Sequence, residues 1–147
     1  PGFRSLLRQA AWPTLITPSH TSELTRPLLA FNGSQASIQA MYLLTYFAGR
    51  WRLPITVVTV SEPNRVHKEI QRLPKDYFHA HGIPRDRVTF VEEKGPVGPA
   101  ILRAAEVYEC DLIVMGSFSR RGITDVVAES ALDTILRNSW WPMLVCR

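Results

Sequence analysis

Five short apolar runs alternate along the chain with segments of helical pattern, and this alternation constrains the fold more than any other feature. Strands that alternate with helices of this length pair in parallel through right-handed crossovers. From residue 27 onward the sequence therefore predicts an open α/β sheet with helices on both faces. The runs are Pro27–Phe31, Ile55–Val60, Val88–Glu92, Asp111–Met115 and Met143–Cys146.

The segments between these runs carry apolar residues at the three- and four-residue spacing of helices. In the second helix we expect either a kink at Pro74 or two pieces with Pro74 opening the second, and an end at Gly82. Cys110 belongs to the pattern of the third helix. Before the last strand we expect a polar loop over Gly116–Ala128, either without regular structure or with one helical turn, and then a helix over Glu129–Asn138.

Composition narrows the function classes. The chain has 147 residues, 46% of them apolar, which suits one packed domain. The net charge of +4 comes without a basic stripe, which argues against nucleic-acid binding, and no apolar run approaches the 18 residues of a membrane helix. Cys110 and Cys146 have no CxxC spacing, so a reducing, cytoplasmic location is the simple interpretation.

No pattern of an enzyme or metal site stands out. His79 and His81 lie two residues apart, which places them on different faces of a helix and does not suit a shared metal ion. The chain has no GxSxG elbow, P-loop or GxGxxG motif. We therefore expect a protein without catalytic residues and without a metal site.

Ligands of open α/β sheets bind at the carboxyl ends of the strands. Two loops there draw attention, each with two interpretations. Asn32-Gly33-Ser34 either contacts a ligand or serves only as a turn and helix cap. Gly116–Gly122 offers hydroxyls and two guanidinium groups to an anion, or is a plain surface loop.

An internal repeat suggests a tandem protein. Residues 5–18 and 134–147 share five identities at an offset of 129, including a Trp-Pro pair. We therefore expect residues 1–18 to be the end of a preceding copy, 19–26 a linker, and 27–147 a complete domain. Thr14–Thr17 should form a strand beside Met143–Cys146, within the chain or across a dimer.

A stripe of Ile38, Tyr42 and Tyr46 lies off the main core face of the first helix of this domain. It either docks against a partner domain or is half-covered by neighbouring side chains.

Residues 27–147 resemble the universal stress protein family. The resemblance rests on Leu28–Ala40, Asp111–Ser117, Arg120, Ser130 and Pro142–Val145. It implies a five-stranded parallel sheet in the order 3-2-1-4-5, with pairing to another such domain or a second copy through the last strand. The pairing residues would be Met143, Leu144, Val145 and Cys146.

Some members of that family bind ATP through a motif G-x2-G-x9-G-[ST]. Laid on this chain, its glycine positions hold Gly116, Ser119 and Glu129. Asn32 stands where an acidic residue is usual, and two apolar residues would flank the base. The nucleotide-binding residues that the resemblance implies are Asn32, Val60, Met115, Gly116, Ser119, Arg120 and Ser130.

The resemblance implies a non-catalytic stress-response or regulatory domain. We expect its nucleotide binding to be weakened or lost, with no cofactor. The alternative is a domain that still binds ATP or ADP despite the altered glycines. Glu129 is expected to open the final helix, where its charge satisfies the helix dipole and pairs with Arg120 or Arg121 in place of a phosphate.

Overall fold

A computed structural model describes residues 2–20, 22–61, 67–117 and 124–147, with the backbone alone at residues 3, 4, 8, 67, 68 and 124–130. In chain order the elements are α1 (Phe3–Gln9), β1 (Thr14–Ile16), β2 (Pro27–Ala30), α2 (Gln35–Trp51), β3 (Ile55–Ser61), α3 (His67–Ile70), α4 (Arg72–Ala80), β4 (Val88–Lys94), α5 (Val97–Val107), β5 (Leu112–Gly116), α6 (Thr124–Asn138) and β6 (Met143–Cys146). A 3-10 turn, Arg85–Arg87, precedes β4. No helix in the described part of the chain is long and apolar enough to cross a membrane.

The sheet has six strands in the order β1-β6-β5-β2-β3-β4. The five strands from β2 onward run parallel, whereas β1 pairs antiparallel with β6. The prediction of a five-stranded, wholly parallel sheet is therefore wrong in strand count and in the direction of one strand. The physical reason is that β6 would otherwise be an open edge, and β1 satisfies its backbone hydrogen-bonding groups. The expected pairing of the leading segment with the last strand is confirmed.

Helices cover both faces of the sheet and divide the core in two. On one face, α2 and α4 pack on alternate strand residues such as Leu29, Val114 and Leu144. On the other, α1, α5 and α6 pack on the intervening residues, such as Leu28 and Ile113. Strands buried on both sides are apolar at successive positions, which explains the uninterrupted apolar runs in the sequence.

The helix with Pro74 forms two pieces, which is one of the two expected outcomes. The break falls at Gln71, and α4 begins at Arg72 rather than at Pro74. Pro74 lies in the first turn of α4, where its missing N–H costs little. Gln71 at the break is buried, and its Nε2 donates to the carbonyl of Val91 at 3.1 Å, which holds this point of the chain against β4. Gly82 follows the helix with φ +78°, as a helix-terminating glycine does.

Two boundary predictions are wrong. The helix α6 begins at Thr124, so the expected loop over Gly116–Ala128 is too long. The valines at 126 and 127 have weaker helix propensity, which hid this start in the sequence. Cys110 lies after α5 rather than within it, because Tyr108 ends the helix and Glu109 takes a left-handed conformation with φ +51°. No glycine marked that end.

Candidate functional site

The carboxyl ends of β2, β3 and β5 meet at one edge of the sheet. β2 lies between the other two, with Ala30 in register with Val58 on one side and Met115 on the other. The predicted site residues of the described chain therefore come together here. They are Asn32, Val60, Met115 and Gly116.

Asn32 and Ser34 form a turn and a helix cap, which was one of the two interpretations of this loop from the sequence. Asn32 Oδ1 accepts a hydrogen bond from Ser34 N at 3.0 Å, and Gly33 between them has φ +79°. Ser34 Oγ in turn accepts from Ser37 N at 3.1 Å and caps α2. The Asn32 oxygen is thus used inside the loop, although the residue itself is exposed.

Replacing Ser34 with alanine is expected to lower the free energy of unfolding by about 1 kcal/mol, because one N–H of the first turn of α2 loses its acceptor. Urea denaturation measures the change. Ser34→Asp keeps an acceptor at the same place and should lose much less. Equal losses in both variants would show that the cap contributes nothing.

Gly116 lies where the end of β5 passes the first turn of α2. A Cβ built on Gly116 would stand 2.5 Å from the carbonyl carbon of Ala36 and 2.5 Å from Ser37 N. The next residue holds the loop close to the sheet, since Ser117 N donates to the carbonyl of Cys146 at 2.6 Å. The first glycine of the motif therefore has a packing role that does not depend on any ligand.

Val60 and Met115, the two apolar residues that were predicted to flank the base of a nucleotide, differ in their exposure to solvent. Met115 is only 4% exposed and belongs to the core beneath α5 and α6. Val60 is half-buried at the edge of the same cluster. Of the two, Val60 presents more surface to a ligand at this edge.

The remaining predicted site residues are described in part or not at all. Ser119 and Arg120, with the neighbouring Arg121, lie outside the described residues. For Glu129 and Ser130 the backbone is described, and it lies inside α6. The expectation that Glu129 opens the final helix is therefore wrong. The helix begins five residues earlier, so the helix-dipole argument for Glu129 does not hold.

Of the ionisable groups considered above, His81 contacts its own helix and the two cysteines are buried, whereas His79 is exposed. His81 lies with Nδ1 2.8 Å from the carbonyl oxygen of Tyr77 and stacks on the ring of that residue. Burial raises the pKa of the Cys110 thiol, and burial raises the pKa of Cys146 to about 11. Within the described ranges, no three His, Cys, Asp or Glu side chains are grouped to hold a metal ion.

The structure also shows a groove that the sequence analysis did not predict, although the aromatic stripe on α2 was one signal of it. It has a volume of about 400 Å³ and lies between α2, the residues before β1 and the end of β6. Three large side chains on its walls are exposed: Trp12 at 80%, Tyr42 at 44% and Tyr46 at 65%. The repeated Trp-Pro pair was the second signal in the sequence, but only the structure shows that Trp12 and Pro13 lie beside α2 in this groove.

Comparison with known proteins agrees with the fold. The chain is similar to a curated universal stress protein of Synechocystis, with 26% identity over 144 residues, which cover 97% of this chain and 49% of that one. It is similar to the crystal structure of a universal stress protein from Archaeoglobus fulgidus, with a TM-score of 0.79 and 23% identity, covering 97% of this chain and 52% of that one. This chain thus spans about half the length of both.

A further solved structure is a universal stress protein in complex with cAMP, with a TM-score of 0.69 and 20% identity. It covers 86% of this chain and 98% of that one. At this identity the likeness shows the fold alone. The sequence profile of the universal stress protein family matches residues 25–147. With most of its length matched in this way, the chain belongs to the universal stress protein family.

Proposed function

We propose that this domain is a non-catalytic stress-response or regulatory module in which nucleotide binding is weakened or lost. The observation that carries the proposal is the position of Glu129 and Ser130 inside α6. Only the first four N–H groups of a helix lack a partner within it. Because α6 begins at Thr124, the N–H groups of residues 129 and 130 are bonded within the helix and are not free to bind a phosphate.

The side chain at position 129 adds to this effect. A glycine lets a phosphate approach the backbone closely, whereas a glutamate at this position has a Cβ and a negatively charged side chain. Ser119 is the lesser change, because it adds a Cβ but also offers a hydroxyl. Asn32 carries no charge, and its Oδ1 already accepts from Ser34 N.

The alternative function is a domain that still binds ATP or ADP. One observation in the structure favours it: the turn at Gly33, with φ +79°, is present at the carboxyl edge. A structural relative of similar fold is described in complex with cAMP. In this alternative the guanidinium of Arg120 and the hydroxyl of Ser130 hold the phosphates.

The proposed partner is another domain of this family, joined through β6. The antiparallel pairing of β1 with β6 supports this, since the segment 5–18 that contains β1 shares five identities with residues 134–147. We accordingly propose residues 1–18 as the end of a preceding copy, 19–26 as a linker and 27–147 as the domain. A cytoplasmic location is part of the same proposal, which the two free, buried cysteines support.

Titration calorimetry with ATP tests the function. We expect no saturating heat from the wild type at micromolar ATP, because two of the three motif glycines are replaced. The Ser119→Gly, Glu129→Gly double variant should bind more tightly, since both changes restore a motif glycine and one of them removes a negative charge. Micromolar binding by the wild type that the double variant leaves unchanged would overturn the proposal and favour the alternative.

A further inference from the structure

The strand β4 forms one edge of the sheet and is open along its outer side. It pairs with β3 over its whole length, from Val88 to Lys94, and no other strand among the described residues pairs with it. The strand at the opposite edge, β1, has only three residues. The long edge at β4 therefore offers a row of backbone hydrogen-bonding groups to another extended chain.

The register shows which backbone groups of β4 are open. Phe31 N donates to the carbonyl of Val58, so Val58 faces β2 and its neighbour Val57 faces β4. Val57 lies opposite Phe90 in a parallel pair, so Val57 bonds with the residues on either side of Phe90. The N–H and C=O groups of Phe90 and of Glu92, two residues further on, therefore point away from the sheet.

A groove lies beside this open edge, between α4 and β4, with a volume of about 330 Å³. Its floor is apolar and is formed by Phe78, Ile83, Val88 and Phe90. Phe78 and Ile83 are buried, whereas Val88 and Phe90 are only half-buried. We call this concavity the edge groove. A strand added beside β4 would direct every second side chain to the face on which the edge groove lies.

The rim of the edge groove is mainly basic. Three exposed side chains on it carry or can take a positive charge: Lys75, His79 and Arg85. Lys75 Nζ lies 4.9 Å from the centre of the Phe90 ring, directly above the apolar floor. Asp76 also lines the groove, but its carboxylate lies 3.6 Å from Arg72 Nε on the same helix. The groove therefore favours an apolar group with acidic groups beside it.

We propose that β4 binds an extended, acidic segment of a partner protein as an added strand, with an apolar side chain in the edge groove and acidic side chains at its rim. The outward backbone groups of Phe90 and Glu92 bond with the main chain of the segment, and the groove selects its side chains. Residues two apart in a strand share a face, so the recognised pattern is acidic-x-apolar-x-acidic.

A second copy of this chain fits the edge less well. An antiparallel pair of β4 strands would bring two basic rims together on one face of the joint sheet, where like charges repel. Glu92 and Lys94 continue β4 beyond the edge groove and carry opposite charges, so they add no net charge to the edge. The basic rim therefore selects an acidic partner.

A blocked seven-residue peptide, Thr-Glu-Thr-Leu-Thr-Glu-Thr, is the probe. It reads the same in both directions, so it suits parallel and antiparallel pairing alike. Fluorescence anisotropy of the labelled peptide should show saturable binding at sub-millimolar concentrations of the chain. The matched peptide with lysine in place of both glutamates should bind at least about 10-fold more weakly, because it places two positive charges at the basic rim.

Charge reversal at the rim tests the position of the site. The Lys75→Glu, Arg85→Glu variant should bind the glutamate peptide about 10-fold more weakly than the wild type and the lysine peptide more tightly, since attraction and repulsion are exchanged. Arg50→Glu, Arg137→Glu is the matched control. It changes the net charge equally at two exposed residues outside the edge groove, so it should bind both peptides as the wild type does.

Amide hydrogen exchange tests the added strand itself. Saturation with the glutamate peptide should slow exchange of the Phe90 and Glu92 amides at least about 10-fold, because each is open in the free chain. The Val91 amide, which points toward β3, should change little.

Three results would overturn the proposal: no saturable binding, equal affinity for the two peptides, or unchanged exchange at Phe90 and Glu92. Protection of these two amides in the free chain that falls on dilution would overturn it as well, since a second copy would then occupy the edge. No nucleotide is present in these measurements, so their failure is distinct from failure of the proposed function.

Discussion

Gly116→Ala is expected to lower the free energy of unfolding by about 3 kcal/mol, the upper part of the range for overpacked sites. The added Cβ would stand 2.5–2.6 Å from backbone and side-chain atoms of Ala36 and from Ser37 N. Neither neighbour can yield easily, because both belong to the capped first turn of α2, which is buried against the sheet. Urea denaturation of the variant and the wild type measures the loss.

Gly49→Ala is the matched control for this prediction. Gly49 lies inside α2, and a Cβ built there meets nothing within 4 Å. Alanine has the higher helix propensity, so this variant should gain about 0.5–1 kcal/mol. A Gly116→Ala protein as stable as the wild type would show that β5 and α2 do not approach each other as closely as described.

Asp111→Ala is expected to cost a similar amount, about 3 kcal/mol, because it removes a buried acceptor of three hydrogen bonds. Asp111 is 6% exposed. Its carboxylate accepts from Thr25 N at 3.0 Å, from Thr25 Oγ1 at 3.2 Å and from Arg26 N at 2.7 Å. The variant leaves two backbone N–H groups of the linker without this acceptor, so the linker should be held less tightly at the start of β5, where the hydrogen bond from Asp111 N to the carbonyl of Arg26 remains.

The measurement combines urea denaturation with amide hydrogen exchange at Thr25 and Arg26. These two amides should exchange faster in the Asp111→Ala protein than in the wild type, because each loses its carboxylate acceptor. Asp76→Ala is the control: its carboxylate is exposed and lies 3.6 Å from Arg72 Nε, so its loss should cost no more than about 0.5 kcal/mol. If the two aspartates cost the same, the carboxylate of Asp111 does not hold the linker.

Most of the strands from β2 onward could be predicted from sequence because they are apolar at successive positions and are separated by a helical pattern. The edge strand β4 alternates apolar and polar residues instead. The added strand β1 was found only through its repeat, since three residues of mixed exposure carry little pattern of their own. The boundaries of α5 and α6 could not be found. Helix α5 ends just before Glu109, which takes a left-handed conformation although it is not a glycine. Helix α6 begins ahead of the β-branched residues Val126 and Val127, which are weak helix formers.

The sequence predicted at which edge of the sheet the candidate site residues lie, but it did not predict how their side chains and backbone pack. Strand order alone places Asn32 and Gly116 at one edge of the sheet. The packing of Gly116 against Ala36 could not be predicted, because it depends on how closely α2 approaches β5. The same holds for Met115, whose burial is decided by α5 and α6 rather than by its own strand.

The most direct test of the account is a titration of the ¹⁵N-labelled chain with ATP, followed by the backbone amide signals of Gly33, Ser34, Gly116 and Ser117. These four amides lie at the carboxyl edge where any family nucleotide site would form. The account predicts that they do not shift in a saturable way at micromolar ATP, and that they do so more readily in the Ser119→Gly, Glu129→Gly variant. Saturable shifts of these amides in the wild type at micromolar ATP would contradict it.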